Sequence, residues 1–327
     1  MKKIFTIALA ILIFNCKSSV KTDTKDISKS ITITSNEVKD IVSFLASDDI
    51  KGRKTGTEGI EKSAVYIESQ FKEFGVKPYF ETYRDNFKID SIDAFNVVGY
   101  IEGIDSKLKE EVIILGAHYD HVGAGKEIFA VKGVVENDSI ANGANDNAAG
   151  TSAVMAMAKY FAAKKNNKRS IMFVLFSAEE LGLLGSKHLA KKLKNQNLDL
   201  YTMVNFEMIG VPLKERDYEA FVSGYDLSNM ADKMNEYVGS NLIGLSEIAK
   251  KYHLFKASDN YPFYEEFKLP CQSISSCDLS NFDYYHHVDD EIDKLDYEFM
   301  AGLINKLIPA IEKMTNTPTK EIVMYEE

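Results

Sequence analysis

The strongest constraint in this chain is a design used three times: a run of bulky apolar residues, of strand length, that breaks into a polar cluster at its C-terminal end. EEVIILG at 110–116 runs into AHYDH, RSIMFVLF at 169–176 into SAEELG, and LYTMVNF at 200–206 into EMIG. None of these runs alternates apolar with polar residues as a half-exposed strand does, so each reads as a strand buried on both faces. Such strands are parallel neighbours and need helices to cross between them. TSAVMAMAKYFAAKK at 151–165 supplies one, with small residues where it would press on a sheet. The class is α/β.

Helical spacing recurs in NEVKDIVSFLASDD (36–49) and in GIEKSAVYIESQFKEFG (59–75), which ends at a glycine with Pro78 just beyond. YEFMAGLINKLIPAIEKM (297–314) is a last amphipathic helix. These elements predict a single folded domain over 36–315, with 316–327 as a loose tail. Ahead of it, MKKIFTIALAILIFNC has two lysines and then an apolar run too short to span a bilayer, which reads as a secretory signal over 1–15. Cys16 follows it directly, and a polar, Ser/Thr/Lys-rich stretch suits a tether over 16–35. The expectation is an exported protein, periplasmic or on the cell surface, that meets a membrane only through a lipid on Cys16. Cys271 and Cys277 remain; in PCQSISSCD, read as extended chain, six steps of about 3.3 Å separate them beyond the ~7 Å a disulfide tolerates, so two buried thiols are expected. Acidic residues outnumber basic ones, 49 to 39, and no Lys/Arg run interleaves with aromatics, which sets nucleic acid aside as a partner.

In open α/β sheets, ligands bind beyond the carboxyl ends of the strands. Metal-ligand side chains fall there three times: His118 and Asp120 after the first run, Glu179 and Glu180 after the second, Glu207 after the third. NGANDNAAG (142–150) adds Asp146 in a turn just before a helix, and YYHH (284–287) adds His286. Each signal alone is weak, since HxD triplets arise by chance, paired glutamates suit a helix start and NGAND reads as a plain turn. Their convergence on one crevice, in a chain with only six histidines, carries the reading.

In order and wording these motifs resemble the M28 family of zinc-dependent exopeptidases. GRKTGTEG, GAHYDH, NGANDNAAGTSA, FSAEELGLLGS, VNFEMIG, SDNYPF and YYHHVDDEIDKLD carry the likeness, which spans roughly residues 38 to 295. The resemblance implies a mixed, mainly parallel central sheet flanked by helices on both faces. It also implies two zinc ions, one held by His118, Asp146 and Glu207, the other by Asp146, Glu180 and His286, with a cis peptide after the bridging Asp146. Glu179 would then be the general base, and Asp120 would accept the second ring N–H of His118; Asp290 is expected to do the same for His286. The implied activity is removal of residues from free peptide N-termini. A carboxypeptidase or a one-zinc glutaminyl cyclase on the same scaffold, and a catalytically inactive binding ectodomain, stay open as alternatives; a serine hydrolase has no nucleophile elbow to support it. Glu207 stands where the family usually has aspartate, and Asn260 where many relatives carry histidine.

Overall fold

The computed structural model describes residues 31–124 and 138–326. The expected signal, Cys16 and most of the tether lie outside the described residues. Among those described, no helix is long and apolar enough to cross a membrane.

Residues 32 onward form one compact unit. It opens with helices α1 (Ser35–Leu45) and α2 (Glu58–Phe74), followed by strands β1 (Arg84–Ile89), β2 (Ile92–Ile101) and β3 (Glu111–His118). Next come α3 (Gly150–Lys164), β4 (Ser170–Phe176), α4 (Leu184–Asn195), β5 (Asp199–Phe206), β6 (Ala220–Val222), α5 (Met230–Val238), α6 (Asn260–Phe267), β7 (Cys271–Ser275) and α7 (Tyr297–Asn316). The sheet runs β2-β4-β3-β5-β7-β6, with β1 beside β2 and two-residue strands at Lys77–Pro78 and Ile243–Gly244 on the edges. β4, β3, β5 and β7 are mutually parallel, while β2 on one side and β6 on the other join antiparallel.

The three apolar runs are three of the four central parallel strands, and the pleat sends their successive side chains to opposite faces. Val112, Ile114, Met172, Val174 and Met203 pack with Leu189 and Leu193 of α4 and Phe263 of α6. Their neighbours Ile113, Leu115, Ile171 and Phe173, equally buried, point the other way, where α3 crosses the sheet. Burying each such side chain stabilises the fold by roughly 1.5–3 kcal/mol. With both faces covered, polar side chains have room only beyond the strand ends, and that is where the candidate ligands emerge.

Cys271 and Cys277 are free and buried, and burial pushes both thiols up. The C-terminal residues differ from the expected loose tail. Tyr201 Oη accepts the N–H groups of Glu321 and Ile322 at 2.8 and 2.9 Å, and Ile322 is buried. In KEIVMYEE the apolar run is four residues long and shows no helical or strand periodicity, so which of its residues is buried was not legible in the sequence.

Candidate metal centre

Asp146 sits at the foot of α3, in the turn that the asparagines of NGANDNAAG hold from three sides. Asn142 Nδ2 donates to Asp48 and Glu291 at 2.7 and 2.8 Å. Asn145 Oδ1 accepts Gly210 N–H at 2.8 Å, and Asn147 bonds Phe206 O, Gly150 N–H and Met208 N–H. Gly143 takes a left-handed φ of 59°, where a Cβ would lie 2.3 Å from Asp146 O and 2.5 Å from the His121 ring. The Asp146–Asn147 peptide is cis, as the resemblance implied.

All five expected ligands come together. His118 Nε2 lies 3.2 Å from Asp146 Oδ1 and 3.3 Å from Glu207 Oε1. His286 Nε2 lies 3.2 Å from Asp146 Oδ2 and 3.0 Å from Glu180 Oε2. Nitrogen and oxygen donors about 2.0–2.2 Å from a tetrahedral ion stand roughly 3.4 Å apart, so each histidine stands at the spacing of a zinc ligand from its two carboxylates, and His118, Asp146 and Glu207 are mutually close as a set. Asp146 Oδ2 is buried and, among the described residues, accepts no hydrogen bond in spite of its imidazole neighbours. An orphaned carboxylate oxygen ringed by donors fits a cation.

The electrostatics separate the carboxylates by role. Burial raises the Glu180 pKa, but the imidazoles of His121 and His286 outweigh burial and bring it to about 2; Asp146 is likewise held well below the usual range by His118 and His286. Glu179, its neighbour in sequence, is pushed well above the usual range by burial, and the charges of Glu180 and Asp259 add to the shift. Groups with environments that force their pKa values apart are what acid–base chemistry requires. His118 is raised well above its ordinary value, because Glu207 and Glu179 overcome the effect of burial. Ala178 and His286 adopt left-handed φ of 55° and 54°, a conformation that side chains other than glycine take where surrounding structure imposes it.

Two orienting roles differ from expectation. His118 Nδ1 faces the main-chain oxygen of Asp120 at 3.2 Å, with the carboxylate 3.7 Å away. That carboxylate accepts Thr55 Oγ1 at 3.0 Å and Glu179 N–H at 3.2 Å, so Asp120 anchors the Glu179 backbone while its carbonyl orients the ring. Asp290 accepts the N–H groups of Asn145 and Asp146 at 2.8 and 2.9 Å, and so supports the Asp146 turn instead of His286. Extended-chain spacing identifies neighbours, but it cannot tell a main-chain acceptor from a side-chain one.

Four residues that the fold brings here had no ligand or base role in the sequence reading, which offered Arg53 only as one of several arginines that could meet a C-terminal carboxylate. Ser258 Oγ donates to Glu207 Oε2 at 2.6 Å. Asp259 is buried, its carboxyl pushed up to about 7 by burial, with no hydrogen-bond partner on either oxygen among the described residues. His121 Nδ1 meets Glu180 Oε1 at 2.9 Å. Arg53 is fully buried under the turn and bonds the main-chain oxygens of Leu45, Tyr119, Asn142, Gly143 and Asp146. Each lies in a quoted motif, Arg53 in GRKTGTEG, His121 in GAHYDH, Ser258 and Asp259 in SDNYPF, but the motifs did not tell what these side chains touch.

The profile of Peptidase family M28 matches residues 96–308, more than half the chain. The chain belongs to peptidase family M28. Among curated relatives it is 25% identical over 229 residues to a probable zinc metalloprotease of Leptosphaeria maculans, covering 64% of this chain and 50% of that one. It is 28% identical over 190 residues to leucine aminopeptidase 2 of Arthroderma otae, covering 57% of this chain and 34% of that one. The chain thus spans about half or less of the length of these relatives. Among solved structures, a zinc aminopeptidase from Bacillus subtilis superposes with a TM-score of 0.70 at 17% identity, covering 91% of this chain and 100% of that one. A glutaminyl cyclase from Porphyromonas gingivalis superposes with a TM-score of 0.68 at 13% identity, covering 86% and 99%. At such identities the superpositions establish the fold.

Within this M28 domain, a pocket open to solvent adjoins the cluster. His118, Asp146, Glu179 and Glu207 form its polar end, and Phe221, Leu254, Leu279 and Tyr285 are among its apolar walls.

Proposed function

We propose that the protein is an exported zinc-dependent aminopeptidase that hydrolyses the first peptide bond of substrates with a free N-terminus and an apolar first side chain. The observation that carries this reading is Asp146, whose two oxygens face separate donor sets, His118 with Glu207 and His286 with Glu180, with Glu179 close by in the lining of a largely apolar pocket. Zinc ions held by these residues supply the Lewis acidity that activates water and steadies developing oxyanion charge.

The chain's own residues account for the rest. Glu179 takes the proton from the attacking water and delivers it to the departing amine, a role worth roughly 10² to 10⁴ in rate. Asp120 holds its backbone in place, and Ser258 aims Glu207. The apolar walls receive the first side chain, in keeping with the leucine aminopeptidases among the relatives. A cyclase is the second reading, since glutaminyl cyclases share the fold. The complete His118, Asp146 and Glu207 set argues for the two-ion hydrolase.

A panel of aminoacyl and N-blocked peptides, with Glu179→Gln as control, tests the proposal. Turnover of free N-termini should fall 10²-fold or more in the variant while zinc content is kept. Cleavage of blocked peptides alone, or cyclisation of N-terminal glutamine without hydrolysis, would reject it. Export rests on the N-terminal sequence; labelling with a fatty-acid analogue should mark the wild type and not Cys16→Ser.

A further inference from the structure

We propose that Asn260, Ser273 and Asn205 are positioning residues for Glu207: they form a one-way hydrogen-bond chain that commits the Ser258 hydroxyl to its carboxylate. The inference rests on the zinc reading above, which gives Glu207 its task. Asn260, Ser273, Asn205 and Ser258 are all buried.

The direction of the chain is forced from its far end. Asn260 Nδ2 donates to the main-chain oxygens of Phe255 and Cys271 at 3.0 and 3.3 Å. Main-chain carbonyls only accept, so the amide nitrogen of Asn260 must face them and its Oδ1 must face Ser273. Ser273 Oγ donates its single proton to that oxygen at 2.8 Å. With that proton committed, Ser273 Oγ can only accept, and the atom 2.9 Å from it must be Asn205 Nδ2 and not Asn205 Oδ1. The same nitrogen donates its second N–H to Ser258 Oγ, also at 2.9 Å. The one proton of Ser258 is then left for Glu207 Oε2, which accepts it at 2.6 Å. Amides and hydroxyls are reversible when taken singly. The two carbonyls at the start remove each choice in turn.

Glu207 needs this because its two oxygens have different partners. Oε1 stands 3.3 Å from His118 Nε2, while Oε2 is tied back to Ser258. The last torsion of a glutamate is broad, so a hydrogen bond to one oxygen selects the orientation of the other. Asn205 is the link most easily reversed. Its Oδ1 has no hydrogen-bond partner among the described residues, so within that set it is Ser273 that keeps the amide from turning over. Turned over, Oδ1 would accept the Ser258 proton in competition with Glu207.

Zinc affinity at the position of His118, Asp146 and Glu207, read by chelator competition on the full chain, tests this link by link. Ser273→Ala should weaken it about 10-fold, and Ser273→Thr, which keeps the hydroxyl, should stay within about three-fold of wild type. Links of one chain do not add. Ser258→Ala combined with Ser273→Ala should therefore bind zinc within about two-fold of Ser258→Ala alone, whereas independent packing defects would multiply. Asn260→Ala, one link further back, should repeat the loss and the non-additivity, and it supplies the same test if Ser273→Ala folds poorly. Unchanged affinity in Ser273→Ala, equal losses in the alanine and threonine variants, or losses that multiply in the double variant would overturn the inference. Failure of the wild type to take up zinc would reject the zinc reading and this inference with it, an outcome distinct from variants that bind zinc as the wild type does.

Discussion

Arg53→Met should unfold the metal loops, and the structure sets the size of the effect. Burial lowers the guanidinium pKa to about 10, so it is charged at neutral pH, and its five hydrogen bonds all end on main-chain oxygens. Four of them, to Leu45, Tyr119, Asn142 and Gly143, lie at 2.9 Å or less. Replacing a buried ion pair with apolar residues can be neutral, because both charges leave together. Here the acceptors are backbone and cannot be removed. Each buried oxygen left without a donor costs about 1–3 kcal/mol, or about 4–12 kcal/mol for the set. The lower end applies, since Gly143 O also accepts Ala148 N–H at 3.2 Å. A loss of about 4 kcal/mol is a large part of the 5–15 kcal/mol that usually holds a domain together. With a urea slope near 3 kcal/mol/M, the midpoint should drop by at least about 1 M, and zinc retained through dialysis should fall with it. Arg53→Lys keeps the charge without the planar fork and should lie between the two. A methionine variant with an unchanged urea midpoint and full zinc would refute the reasoning.

Ser258→Ala removes the hydroxyl that aims Glu207. Zinc affinity at the position of His118, Asp146 and Glu207, read by chelator competition, should weaken 10- to 100-fold with little change in melting temperature. Gly143→Ala forces a left-handed alanine into Asp146 O and the His121 ring, so it should lower both thermal stability and zinc content. Asp85 gives a pH dependence away from the site: burial would raise its pKa, but His188, Lys192 and Asn96 outweigh burial and lower it. A depressed folded pKa contributes stability above the unfolded value of about 3.9, and that stability is lost as pH falls through the folded value. Asp85→Asn should therefore unfold more readily than wild type at pH 6, with the gap closing as acid titrations pass below about pH 4.

The central sheet was legible because β3, β4 and β5 are apolar over most of their length, as strands buried on both faces can be; β7, equally buried but carrying Gln272, Ser273 and Ser275, gave no such run. β1, β2 and the two-residue strands carry no comparable pattern, since β1 has exposed and half-buried residues along its length and β2 at both its ends. His118, Glu180 and Glu207 were findable at strand ends, and Asp146 by the turn residues around it. Arg53 was not: in IKGRKTG it looks like any exposed basic residue, and only the folded loops supply the carbonyls that bury it.

By itself the sequence determined the layered α/β plan and the kinds of side chain at the crevice, because hydrophobic periodicity and turn chemistry are local properties that survive without a fold. The tertiary structure decided which of those side chains meet. Distances of about 3 Å between residues 118, 146, 180, 207 and 286 arise from strand order and loop packing. The same packing gave His121 its place against Glu180, set Asp120 on a backbone N–H and put Asp290 under the Asp146 turn.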